Sequence, residues 1–202
     1  MSRYDFEKIK TKLKKKVNES RYTHTMGVAY TATSLAMVHA PEDESEEYIE
    51  KALTAGLLHD YAKCTGDEEM LEKCIKKGIP VTESERKSPL LLHGKLGAYY
   101  AERDFDVDDP DILEAIKWHT TGKPDMNLIG KIIFVADYIE PGRDKQPNLS
   151  YLRKLAFSDI DMCVYKIADD TLNYLCGRKK LIDEMTVQTR DFYYNLIKNR
   201  EV

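Results

Sequence analysis

The 202-residue chain has no run approaching the roughly 20 consecutive apolar residues of a membrane span, so no membrane partner is expected. The basic stretch from Met1 to Val17 lacks an apolar signal core and a small-residue cleavage site. A cytoplasmic location is the expectation. Positive charge is not in excess. The formal net charge is -4, and no overall basic field favours nucleic acid. Paired cysteines are missing too. Cys64, Cys74, Cys163 and Cys176 form no C-x-x-C, which argues against a zinc knuckle or a thioredoxin-like motif. They are expected to be reduced and mostly packed, with nothing to favour a redox role for Cys64. Internal repeats and alternating strand patterns bounded by hairpin signals are also absent. What remains, 42% apolar and 33% charged, is the composition of a globular protein with one substantial core.

The periodicity is helical almost throughout, and the expected fold is all-α, a single-domain helical bundle. Helical patterns cover Ser20 to Val38 and Tyr48 to Ala62. Pro89 opens another, with Leu92, Leu96, Ala98 and Tyr99 inward. Asp109-Pro110 starts the next, as cap and first helical residue. Leu128 to Ile139 is apolar enough for a buried strand, but its length and its helical flanks predict a buried helix. Ser158-x-x-Asp161 predicts a capping box for a helix that Gly177 stops, and a last helix covers about Asp183 to Lys198. Glu42 to Glu47 is expected as an acidic surface loop, and Gly78 to Ser88 as a polar flap. The four lysines between Lys12 and Lys16 predict a solvated helix face.

Histidine is scarce, yet four of the five sit in phrases suited to metal ligation: Arg21-Tyr22-Thr23-His24, His59-Asp60, His93-Gly94 and Trp118-His119-Thr120. Ala136-Asp137-Tyr138 adds a carboxylate, and His39 stands apart as a packed or surface residue. Imidazoles with carboxylates suit a Lewis-acidic transition metal. A lone His-Asp pair is weak, but Ala55-Gly56-Leu57-Leu58-His59-Asp60-Tyr61-Ala62-Lys63 places one at the end of an apolar helix. Neighbours there point about 100° apart and serve a site between helices. Lys63, four residues after His59, is expected on the same face, where it can hold a phosphate oxygen.

These phrases resemble the HD superfamily of metal-dependent phosphohydrolases, whose H…HD…D pattern falls on His24, His59-Asp60 and Asp137. His93 and His119 match its dinuclear branch. Together with Ala136-Asp137-Tyr138-Ile139-Glu140-Pro141-x-Arg143, they are similar to the YqeK-type group. The resemblance implies symmetrical hydrolysis of diadenosine tetraphosphate to two ADP by water activated on two metal ions. Iron is the first choice by resemblance, while ligand type leaves manganese, cobalt and zinc open. The expected ligands are His24, His59 and Asp137 for one ion and His93 and His119 for the other, with Asp60 bridging. Arg21, Lys63, Thr120 and Arg143 are the candidate substrate contacts, and Asp60 and Lys63 the candidate catalytic residues. The core motifs lie within residues 21–143, and helices over 148–199 complete one domain, 1–202.

Blander readings stand beside these. Lys63 and Arg143 also suit salt bridges, Asp108, Asp109 and Asp111 suit solvation and capping, and Glu140 either orients a ligand histidine or is simply exposed. Tyr22, Tyr61, Trp118 and Tyr138 flank ligand residues and could stack on adenine, but most of them are read as core, walling a buried site. Arg178 to Ile182 is read as a charged connecting loop, with closure over a nucleobase as the alternative. The competing functions are a nucleotide mono- or diphosphatase on the same metals, or a silent nucleotide- or metal-sensing module. A structural metal site ranks last, because such sites are commonly closed by thiolates. Monomer and homodimer both stay open.

Overall fold

The computed structural model describes residues 3–200, so the first two and last two residues of the expected domain lie outside the described residues. Eleven α-helices follow in order: α1 (Phe6–Lys16), α2 (Glu19–His39), α3 (Ser45–Leu58), α4 (Asp67–Lys76), α5 (Glu83–Lys87), α6 (His93–Phe105), α7 (Pro110–Trp118), α8 (Leu128–Ile139), α9 (Leu149–Leu155), α10 (Ile160–Gly177) and α11 (Glu184–Lys198). No strand occurs among the described residues, and no helix is long and apolar enough to cross a membrane. The all-α expectation holds.

The centre is built by α2, α3, α7 and α8. The α2 helix packs on α3 and α8, α7 packs on α3, α6 and α8, and α10 covers α8 and joins it to α11. The α2–α3 seam is close because Gly56 faces Ala29, where an added Cβ would stand 2.7 Å from Ala29 Cα. Leu57, Leu58, Ile129, Ile132 and Ile133 are fully enclosed, each worth about 1.5–3 kcal/mol of transfer free energy. The predicted span of α8 is matched residue for residue. Asn127 caps it through Gly130 N, and Asp109 caps α7 ahead of Pro110.

Five local expectations are corrected. The α3 pattern does not run to Ala62. The helix ends at Leu58 and continues as turns whose bonds span three residues, Tyr61 N to Leu58 O and Lys63 N to Asp60 O. The cap of α10 is Asp159, which accepts from Met162 N, and Asp161 instead pairs with Lys131 and Arg200. Gly177 lies inside the last turn of α10, and the left-handed residue that turns the chain is Lys179, at φ 51°. Glu46 and Glu47 begin α3, where their charge complements the helix N-terminus, rather than sitting in a loop. Gly78 to Ser88 contains α5, whose capping box joins Thr82 and Glu85.

The lysine face of α1 is solvated as expected, with Lys14, Lys15 and Lys16 exposed and Lys12 half-buried. Lys16 Nζ lies 3.7 Å from the Tyr61 ring centre and Lys12 Nζ 4.7 Å from that of Phe105, both cation–π contacts. Tyr61 belongs to the core, with Tyr22 and Tyr138 packed against it. Cys74 and Cys163 are buried, Cys64 and Cys176 exposed, and all four are free.

Candidate metal centre

The chain brings all six expected ligands to one point. His24 comes from α2, His59 and Asp60 from the turn after α3, His93 from the start of α6, His119 from the turn after α7, and Asp137 from α8. Three overlapping groups each gather ligand atoms within 4.8 Å of one another: His24, His59 and Asp60; His59, His119 and Asp137; Asp60, His93 and His119. Asp60 faces both halves. Its Oδ2 lies 3.9 Å from His24 Nε2 and 3.7 Å from His59 Nε2, and its Oδ1 lies 3.4 Å from Nε2 of both His93 and His119. His24 Nε2 is 3.0 Å from Asp137 Oδ1.

Backbone carbonyls fix the tautomers. A carbonyl only accepts, so each Nδ1 that meets one must carry the proton. His59 Nδ1–H donates to Gly56 O at 2.7 Å, His93 Nδ1–H to Leu90 O at 2.5 Å, and His119 Nδ1–H to Ile116 O at 2.8 Å. His24 uses the Glu140 carboxylate at 3.1 Å for the same purpose. Every neutral ring therefore turns an Nε2 lone pair inward. His93 and His119 Nε2 stand 2.9 Å apart, and the Thr120 hydroxyl, 3.1 Å from both, can donate to only one. His59 Nε2 and Asp60 Oδ1 are buried without a hydrogen bond, although the Lys63 ammonium lies 3.1 Å from that oxygen. Converging lone pairs and unsatisfied buried acceptors are what a cation would satisfy. The donor set thus fits divalent metal.

At four of the six residues the electrostatics point the same way. Burial pushes the His59 imidazole down to about 4, and burial also lowers His93. Burial opposes charge on Asp60, but His59, His119, His93 and Lys63 outweigh it and hold the carboxyl well below its usual range. Asp137 is likewise held low against burial, chiefly by His24. His24 is raised, because its bonds to Asp137 and Glu140 overcome burial. Neutral His59 and His93 and ionised Asp60 and Asp137 are in the states that bind metals, whereas His24 would give up a proton to bind one.

Cations line the open side. Arg21 Nη1 is 3.1 Å from Asp60 Oδ2, and Arg143 donates to Asp137 Oδ1 at 2.6 Å and to Asp137 O at 2.8 Å. With Asn18, Ser20, His24 and Asp60, the three cations Arg21, Lys63 and Arg143 border a cavity of about 340 Å³. Lys63 does not return to the face of His59 as expected. The turn after α3 has i to i+3 bonds, about three residues per turn, so Lys63 pairs with Asp60 instead.

Of two supporting residues, the sequence left one with two readings and missed the other. Glu140 had been open to two readings, and it is only 4% exposed and held by His24 and by Gly142 N at 2.6 Å. Arg153 was not singled out. It donates to Ile139 O, Glu140 O and Arg143 O at 2.9–3.0 Å and pins the turn that carries Glu140 and Arg143. His39 is remote from the centre and bonds Ala156 O at 2.7 Å.

The HD domain pattern matches residues 21–142, which contain every ligand candidate. The chain belongs to the HD-domain family. The HD fold extends to a solved relative, described as a predicted HD superfamily hydrolase involved in NAD metabolism from Clostridium acetobutylicum. It superposes with a TM-score of 0.88 at 34% identity, over 95% of this chain and 98% of that one. Among curated HD relatives, the chain is 38% identical to the symmetrical bis(5'-nucleosyl)-tetraphosphatase of Bacillus subtilis, over 83% of this chain and 86% of that protein. It is 32% identical to the Staphylococcus aureus protein of the same name, over 94% of each.

Proposed function

We infer that this HD-domain protein is a symmetrical dinucleoside tetraphosphatase, a hydrolase of acid anhydrides that splits diadenosine tetraphosphate into two ADP. The observation that carries the reading is the placement of Arg21, Lys63 and Arg143 along the open side of the six-residue cluster, in a chain so similar to proteins of that name. We assign two metal ions, iron first, to His24, His59 and Asp137 on one side and His93 and His119 on the other, with Asp60 shared. The working unit is one domain, 1–202.

Charge supports a polyphosphate. Asp60, Asp137 and Glu140 are balanced by Arg21, Lys63 and Arg143, all within this one network. Two divalent ions would leave a surplus of about four positive charges, against about one negative charge per phosphate of a tetraphosphate bridge. Bound metal would supply Lewis acidity to a phosphoryl oxygen and make a water acidic enough to react near neutral pH. The protein's own groups do the rest. Arg143 and Arg21 hold phosphate oxygens in fixed forks, Lys63 adds a point charge, and Thr120 offers a hydroxyl at the far edge. Water adds to one inner phosphorus, the bridging oxygen leaves with the other ADP, and these cations offset its charge. Neither arginine gives up a proton, so the leaving phosphate departs as an anion.

The test is product analysis of iron-reconstituted protein, loaded anaerobically, by ion exchange. ADP alone is expected. ATP with AMP would overturn the cleavage position, and turnover of mononucleotides alone would replace the substrate.

A further inference from the structure

Residues 119–127 join α7 to α8. They begin with the ligand candidate His119 and the candidate substrate contact Thr120, and two side chains of the last helix hold them. The Thr189 hydroxyl lies 3.1 Å from Thr121 O and 2.7 Å from Met185 O. The Tyr193 hydroxyl accepts from Met126 N at 3.0 Å. Thr189 and Tyr193 are four residues apart, so they share one face of α11, and both are fully enclosed.

The two carbonyls that Thr189 meets differ in need. Met185 O already takes part in the helix ladder, which pairs it with Thr189 N. Thr121 O meets no other donor among the described residues. Gly122 closes the turn on the same side chain. Its φ is 67°, and an added Cβ would stand 2.5 Å from Thr189 Cγ2 and 2.9 Å from Thr189 Oγ1. Thr120 therefore sits between two fixed points. Behind it the His119 ring is aimed by Ile116 O, and ahead of it Thr121 and Gly122 are seated on Thr189. Thr120 itself is exposed, with its hydroxyl 3.1 Å from Nε2 of both His93 and His119. The direction of that hydroxyl, unlike that of the ring, follows from the turn.

We propose that Thr189 is a positioning residue for the hydrolysis. Through Thr121 and Gly122 it sets where the Thr120 hydroxyl meets a phosphate oxygen of the substrate. The proposal rests on the hydrolase reading above. A donor of this kind acts only at the right distance, and a displacement of about 1 Å can cost up to about a hundredfold in rate. Metal binding is a separate matter, because His119 takes its direction from Ile116 O.

Thr189→Val keeps the outline of the side chain and removes the hydroxyl. Its kcat for diadenosine tetraphosphate should fall about tenfold, with iron affinity within about threefold of wild type. Thr189→Ser returns the hydroxyl and should bring kcat back to within about threefold of wild type. A double-mutant cycle with Thr120→Val shows whether one residue acts through the other. Each single variant should lose about tenfold in kcat, and the pair should lose about tenfold as well. A loss near a hundredfold in the pair means independent effects and overturns the proposal. So does wild-type kcat in either single variant. Should Thr189→Val fail to fold, Gly122→Ala pushes the turn off Thr189 from the other side and takes its place in the cycle, with the same expectation. Amide hydrogen exchange gives a readout that needs no turnover. Thr189→Val should speed exchange within residues 119–127 and leave α2 and α3 as they are, and unchanged exchange in that connection overturns the proposal. Failure of the hydrolase reading looks different: wild type would form no ADP while exchange in the variant still rises within residues 119–127.

Discussion

Replacing Gly27 by alanine adds one methyl group and sets two effects against each other. Gly27 is inside α2, where alanine is favoured over glycine by about 0.5–1 kcal/mol. The new Cβ, however, would stand 2.5 Å from Glu140 Oε2 and 3.2 Å from Glu140 Cδ. A free carboxylate would step aside, but this one is 4% exposed and held by Gly142 N and His24 Nδ1. Moving it breaks a hydrogen bond to a charged group, worth about 1.5–3 kcal/mol. The His24 ring then loses the acceptor that orients it. Loss of such an orienting partner typically lowers metal affinity about 10–100-fold, or about 1.4–2.7 kcal/mol. In the metal-free protein the helix gain offsets part of the damage, so stability should fall by no more than about 2.5 kcal/mol. Metal binding has no such compensation. Anaerobic iron titration against a chromophoric chelator, with thermal melts of both forms, separates the two. Iron affinity within threefold of wild type would show that Glu140 does not steer His24.

Gly177→Ala is the matching control. No atom lies within 4 Å of its added Cβ, so the melting temperature should rise by about 1–4 °C with metal affinity unchanged, and a lower melting temperature would refute the reading. Arg153→Lys should cut kcat/KM for diadenosine tetraphosphate about tenfold with an intact helical spectrum, because one ammonium cannot replace a fork that holds three carbonyls. Activity equal to wild type would make Arg153 merely a surface residue. Asp161 meets Lys131 at 2.9 Å and also pairs with Arg200. Burial opposes its charge, but these pairs hold its carboxyl below the usual value. A depressed acid contributes its stability above the ordinary aspartate range and loses it as pH falls through the folded value. Urea unfolding should therefore show wild type ahead of Asp161→Asn by on the order of 2 kcal/mol above about pH 5, with the gap closing below about pH 4. A gap independent of pH would remove the ion pairs as its cause.

The ligand candidates were legible because each histidine sits in a distinctive short phrase, and the helices because their apolar period runs long. What was not legible depended on backbone. Arg153 serves three carbonyl oxygens, which no residue pattern advertises. The stop at Leu58 was hidden because Tyr61 and Ala62 are buried and extend the apolar period, while the turn has already tightened. That tightening also moved Lys63 from His59 to Asp60. The cap of α10 slipped from Ser158 to its neighbour because Asp159 is an equally good cap, and only tertiary pairing with Lys131 and Arg200 gives Asp161 another task.

Three of the four rings are steered by a carbonyl only three residues upstream, at Gly56, Leu90 and Ile116. Each aim is thus written into a four-residue stretch of chain, and a side chain, unlike a carbonyl, can be lost by substitution. The surroundings of those stretches can drift widely in sequence before these ligands lose direction. His24 alone leans on a side chain 116 positions away, so the half of the centre that it serves is where drift should first be felt.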